Sequence, residues 1–177
     1  MTTPQPTTTP QPTMHLAESV EVAAEPQAVY DVVADVTRVG ELSPECVEAL
    51  WTSGDPGTVG ARFEGTNRRA GREWTTECEV VAAERPRRFS WAVISSTSDK
   101  QTSVWTYEIE PLPHGCRVVE RYDMAAPPRP MQKRIERRTP EEARAMLDEW
   151  EDLLRSGIRT TLAGVREAAE RSRVGSD

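Results

Sequence analysis

Residues 72–91 read REWTTECEVVAAERPRRFSW, and their pattern decides the fold. Taken with a period of two, Trp74, Thr76, Cys78 and Val80 fall on one side of a strand, and Thr75, Glu77, Glu79 and Val81 on the other. Glu84, Arg85 and Pro86 turn the chain, after which Phe89, Trp91 and Val93 alternate with Arg88, Ser90 and Ala92. Two alternating runs joined by a short turn make an antiparallel hairpin. Its apolar face carries Trp, Thr and Cys where a filled core would carry Leu, Ile and Val. Such a face suits either a solid core or the wall of a ligand chamber.

Similar runs flank the hairpin on both sides. Upstream, His15 to Ala23 reads as a first strand through Val20 and Val22. Glu25-Pro26 then opens a short helix with Ala28, Val29, Val32, Val33 and Val36 on one stripe. Gly40 and Ser43-Pro44 leave room for one further helical turn before a strand through Val47, Ala49 and Trp51. The turn SGDPG (53–57) leads to a strand through Val59, Ala61 and Phe63, and NRRAG (67–71) turns into the hairpin. Downstream, SSTSDKQ (95–101) links to Val104–Glu110, where Trp105, Tyr107 and Ile109 share a face. After the Pro111–Gly115 turn, Cys116, Val118, Glu120, Tyr122 and Met124 alternate with Arg117, Val119, Arg121 and Asp123. Connections this short join antiparallel neighbours, since a parallel pair needs a crossover of roughly a dozen residues.

Past a proline-interrupted basic segment, 125–138, the period changes. Thr139-Pro140-Glu141-Glu142 is a capping box with Pro at the first helical position. Met146, Trp150, Leu153, Leu154, Ile158, Leu162 and Val165 then recur at helical spacing over about 28 residues, roughly 42 Å of helix. Gly157 and Gly164 each lower helix propensity by about 1 kcal/mol. Burying the seven large side chains at ~1.5–3 kcal/mol apiece outweighs that, so the helix must lie against the sheet. The expected class is α+β.

Residues 2–7 and 8–13 both read TTPQPT, so residues 1–14 are expected to be a disordered leader, 15–170 a single domain and 171–177 a frayed tail. The 22 basic against 29 acidic residues leave a net charge of −7, which argues against a nucleic-acid backbone as main partner. Cys46, Cys78 and Cys116 have no metal-ligand spacing and leave one thiol unpaired whatever the connectivity, which points to a reduced, cytoplasmic compartment. No run approaches the ~20 apolar residues of a membrane helix, and residues 1–14 carry neither the basic n-region nor the apolar h-region expected of a signal peptide. Gly54, Gly57 and Gly60 are spaced G-x-x-G-x-x-G but lie between strands, and His15 and His114 sit away from any chamber. No cofactor or metal site is therefore expected.

The segments DVTRVGELSPECVEALWTSG, VGARFEGTNR, EWTTECEVV, RRFSWAV, SVWTYEIEP and GCRVVERYDM resemble the actinobacterial branch of the SRPBCC superfamily, over roughly Leu16 to Ala169. That superfamily contains START lipid-transfer domains, birch-pollen-allergen-like proteins and polyketide cyclase/dehydrases. The resemblance implies a helix-grip fold: a curved seven-stranded antiparallel sheet wrapped around a long C-terminal helix, with two short helices after the first strand. It also implies a chamber between sheet and helix. Because fold does not fix function, three roles stay open: carriage of a small hydrophobic molecule, an aromatase/cyclase-type reaction on a polyketide-like chain, and a co-chaperone-like contact module.

The residues expected to face the chamber are Trp74, Thr76, Cys78, Phe89, Trp91, Trp105, Tyr107, Val118 and Tyr122, with Trp150 and Leu154 opposite on the helix. Glu120 shares their parity. Burial of an unpaired carboxylate is costly, so it either meets a partner, titrates high as a candidate acid/base, or escapes to solvent through strand twist. The cations Arg129, Lys133, Arg134, Arg137 and Arg138 form a solvated face or attract an anionic group, so a protein partner can engage either residues 1–13 or the basic segment 129–138.

Overall fold

The computed structural model describes residues 13–94 and 101–174. Most of the proposed leader, the SSTSDK part of the linker and the last three residues lie outside it. Strand β1 (Met14–Val22) is followed by α1 (Pro26–Ala34), a 3-10 turn (Val36–Arg38) and α2 (Val39–Leu42). Six strands come next, β2 (Cys46–Ser53), β3 (Arg62–Arg69), β4 (Arg72–Glu84), β5 (Arg88–Ile94), β6 (Gln101–Leu112) and β7 (Gly115–Met124). The chain ends with α3 (Arg129–Glu136) and α4 (Pro140–Val174). The strands form one antiparallel sheet in the order β1-β7-β6-β5-β4-β3-β2. Because β1 and β2 occupy opposite edges, α1 and α2 must cross the sheet between them. This is the α+β helix-grip architecture that the resemblance implies.

Several boundaries differ from the alternation, each for a local reason. A register shift between Cys46 and Glu48 turns Cys46 inward and leaves Val47 37% exposed at the edge. Val59, 63% exposed, stays in the turn, and β3 starts only at Arg62. The strand then continues through Asn67 to Arg69, so the hairpin turn shrinks to Ala70-Gly71. A second bulge between Val80 and Ala82 reverses parity, so Ala83 and not Ala82 lies beside Phe89 on the inner face. The basic segment 125–138 contains a true helix, α3, none of whose residues is buried.

Helix α4 begins as its capping box requires: Glu142 Oε2 accepts from the Thr139 backbone N–H at 2.9 Å, and Thr139 Oγ1 accepts from the Glu142 N–H at 3.3 Å. It is 35 residues long. Its partners are chiefly β1, α1 and α2. Ile158, Leu162, Val165, Ala168 and Ala169 are fully buried there, together with Val29, Val22 and Val118. Gly164 is where α2 crosses: a Cβ at that position would sit 3.2 Å from the Leu42 Cα.

Candidate functional site

Strand register assembles one continuous row of rings across the inner face of the sheet. Trp51 meets Phe63 at 5.5 Å between centroids, Phe63 meets Trp91 at 6.1 Å, Trp91 meets Trp105 at 6.4 Å and Trp105 meets Tyr122 at 4.6 Å. Tyr122 passes the row to α4 through Trp150, at 6.4 Å edge to face. The pairings Trp51↔Phe63, Trp91↔Trp105 and Trp105↔Tyr122 place these side chains on a common face.

Exposure separates the tryptophans of this row from the core, in which Phe63 and Tyr122 are buried. Trp91 and Trp105 lie on central strands and face the helix side, yet both are only half-buried. Trp51, Trp150 and Leu154 are likewise half-buried. Flanked by strands on both sides, an inward tryptophan keeps accessible surface only when the space above it is open. The opposite end of the sheet is closed: Phe89 and Val118 are wholly buried, and α1 seals that end through the Tyr30–Phe89 ring contact at 6.2 Å.

Polar atoms gather at two places. Toward the β3–β4 hairpin, Asn67 Nδ2 donates to Thr76 Oγ1 at 3.2 Å, and Arg69 sits 5.6 Å from the Trp74 ring while pairing with Glu45 at 2.8 Å. Burial pushes the Cys78 thiol up to about 12 and the Cys46 thiol up to about 11, so both stay protonated and neither is a thiolate nucleophile. Burial likewise raises the Tyr122 phenol to about 12, offset in part by a hydrogen bond with Ser103.

The second place is Glu120, 4% exposed, set between Tyr107 of β6 and Glu18 of β1. Strand twist does not carry it to solvent. Burial lifts its pKa to about 8, offset only in part by the hydrogen bond from Tyr107, so the side chain is a neutral acid at pH 7. Its Oε2 is buried without a hydrogen-bond partner. Glu18 beside it stays ionised because Arg159 and Arg155 of α4 bond it at 3.0 and 3.1 Å, which hold its pKa below the ordinary carboxylate value despite some burial.

Of the residues singled out from sequence, Trp91, Trp105, Tyr107, Tyr122 and Trp150 are joined by ring contacts. Phe89 touches Trp91 at 6.0 Å but belongs to the closed end, as does Val118. Thr76 and Cys78 flank the row on β4, and Leu154 of α4 is half-buried against the core. Trp74, opposite Asn67, stands apart near the hairpin turn. Trp51, Phe63, Asn67 and Tyr30 were missed as partners of the row. The alternation of Trp51 and Phe63 is visible in the sequence, but the register that brings Phe63 to Trp91 is not, and Asn67 falls in the expected turn and Tyr30 on a helix. Among the described residues no His, Cys, Asp or Glu cluster could hold a metal. An open groove of about 450 Å³ lies at the closed end between Ala23, His114 and Glu170; its acidic and basic lining makes it unlike the ring-lined face.

This fold agrees with the comparisons. The family model described as polyketide cyclase / dehydrase and lipid transport matches residues 13–170, and the chain belongs to that family. It is similar to a polyketide-cyclase-like protein from Corynebacterium glutamicum, with 28% identity and a TM-score of 0.63 over 93% of this chain and 96% of that one. The fold is shared with the di-domain ARO/CYC StfQ of the steffimycin biosynthetic pathway, at 16% identity and a TM-score of 0.71, covering 92% of this chain and 52% of that one. It is shared too with a protein of unknown function from Staphylococcus aureus, at 13% identity and a TM-score of 0.69, covering 92% and 97%. No curated protein matches the chain. Among the described residues no helix is long and apolar enough to cross a membrane.

Proposed function

We propose that the protein binds a small hydrophobic molecule, aromatic or acyl in character, between the inner sheet face and the first half of α4. The observation that carries this is the row Trp51–Phe63–Trp91–Trp105–Tyr122–Trp150, whose three sheet tryptophans remain half-buried although they face the helix side, as does Trp150 opposite them on α4. Flat, polarisable rings favour a flat or extended apolar guest, and the hydroxyls of Thr76, Tyr122 and Ser103 supply a few polar contacts to orient it.

A cyclase-type reaction is the second reading, favoured by Glu120 as a neutral acid within the same sheet face. It is second because the Glu120 Oε2 is enclosed by protein and the Cys78 thiol of the same sheet face stays protonated.

The test is a titration with the neutral fluorescent dye phenylnaphthylamine. Saturable uptake is expected, weakened about tenfold or more by Trp105→Ala or Trp150→Ala. Leu153→Ala, on the exposed side of the same helix turn, should leave uptake unchanged. No saturable uptake, or uptake indifferent to both tryptophan changes, would falsify the reading.

A further inference from the structure

We infer that Asn67 selects the guest: its Oδ1 accepts a hydrogen bond from a neutral donor, a hydroxyl or an N–H, at one end of a flat apolar molecule. This rests on the guest-binding reading above and adds what the guest must carry.

Asn67 sits on the inner face of β3, in line with Phe63 and Gly65 and opposite Trp74. Four residues separate it from Phe63, about 13 Å of strand, so it stands beyond the ring row toward the β3–β4 turn. Glu45 pairs with Arg69 at that rim, at 2.8 Å. Burial is the main reason the Tyr122 phenol is raised, but the Glu45 carboxylate adds to it, so the rim lies close to the row.

The orientation of the Asn67 amide is set by its own bonds. Nδ2 donates to the Gly65 carbonyl at 3.3 Å and to Thr76 Oγ1 at 3.2 Å, which uses both of its hydrogens. Thr76 Oγ1 in turn donates to the same carbonyl at 3.5 Å. Turning the amide over would break this set, so the oxygen is left as its free end. The side chain is only 9% exposed, and Oδ1 has no hydrogen-bond partner among the described residues. Glu120 Oε2 is unpartnered too, but it is sealed in protein, whereas Oδ1 keeps accessible surface.

Water can satisfy Oδ1 while the space is wet. A guest that expels the water leaves this acceptor unpaired unless it brings a donor of its own. A carbonyl or carboxylate end would set lone pairs against lone pairs, beside the Glu45 charge. An ammonium end finds no free counter-ion, because Arg69 already neutralises Glu45. A hydroxyl or neutral N–H meets neither obstacle.

The experiment is displacement of phenylnaphthylamine from the full chain by four flat, elongated competitors at pH 7. trans-4-Hydroxystilbene and trans-4-aminostilbene carry a donor; trans-stilbene and trans-4-methoxystilbene do not. At least one donor compound should bind about tenfold tighter than both donor-free ones, and the better of the two identifies the donor. Asn67→Leu should bring its affinity down to that of trans-stilbene. Equal affinities in the native chain, or a preference that survives Asn67→Leu, would overturn the inference. Should the variant not fold, the Asn67 side-chain amide signals of the native chain decide: they should move with the donor compound and stay with trans-4-methoxystilbene, and equal movement with both counts against it. A chain that takes up no dye sinks the guest-binding reading and this one together; dye uptake without donor preference sinks this one alone.

Discussion

The two halves of α4 make opposite use of the same amphipathic pattern. From Ile158 to Ala169 the helix is pressed between β1, α1 and α2, and its apolar side chains are fully buried. From Met146 to Leu154 the apolar stripe continues in sequence, yet Met146, Trp150 and Leu154 stay half-buried and Leu153 exposed, with Trp150 meeting Tyr122 edge to face. Hydrophobic periodicity fixes which side of a helix turns inward. Whether that side is filled depends on what crosses beneath it: α2 passes under the second half, where Leu42 lies against Gly164.

This contrast is broken most directly by truncation at the closed end. Leu162→Ala should lose about 2–5 kcal/mol, because the helix is pinned there on three elements and the gap cannot collapse. Trp150→Ala should cost markedly less stability while weakening dye uptake. Urea unfolding of both variants checks the pair; equal losses would mean that the open end is packed as firmly as the closed one.

Next in size is Glu120. In the folded chain it keeps its proton up to about pH 8, whereas its ordinary value is 4.5. Between those values the unfolded state releases a proton that the folded state retains, so stability should fall as pH rises from about 4.5 to 8 and level off above. The groups facing it do not remove the effect: Glu18 is held by Arg155 and Arg159, and Tyr107 only donates one hydrogen bond. Glu120→Gln should flatten that slope and stabilise the protein at pH 7 by on the order of 2 kcal/mol. Denaturant midpoints taken across the pH range would show an unchanged slope if the carboxyl is not neutral.

Much of the fold was legible because alternation and the capping box are local signals. β4 and β5, the inward parity of Glu120 and Tyr122, and the start of α4 at Pro140 could all be read from residue order. Bulges were not legible: at Cys46/Glu48 and Val80/Ala82 one extra residue shifts parity with no compositional mark, which is why Val47 was misplaced and Ala83 overlooked. The ring row itself was half legible. Trp91, Trp105 and Tyr122 lie close in sequence order, whereas Trp51 and Phe63 join them only through a register across three strands. Tyr30 was hidden within an α1 stripe read from its valines, although it is what closes the far end.

The smallest expected difference lies in the two helix glycines. At Gly157 the nearest atom to an added Cβ is Pro44 Cγ at 4.0 Å, so Gly157→Ala should gain up to about 1 kcal/mol from helix propensity. At Gly164 the Leu42 backbone at 3.2 Å must yield, so Gly164→Ala should be the less stable of the two. Thermal melts rank them; the reverse order would contradict the tighter packing assigned to the second half of α4.

The most direct test is to follow the tryptophan indole signals and the Ile158, Leu162 and Val165 methyl signals by NMR while phenylnaphthylamine is added. Saturating shifts at Trp91, Trp105 and Trp150 with still methyls are the predicted result. Shifts confined to the methyls, with the indoles unmoved, would contradict it.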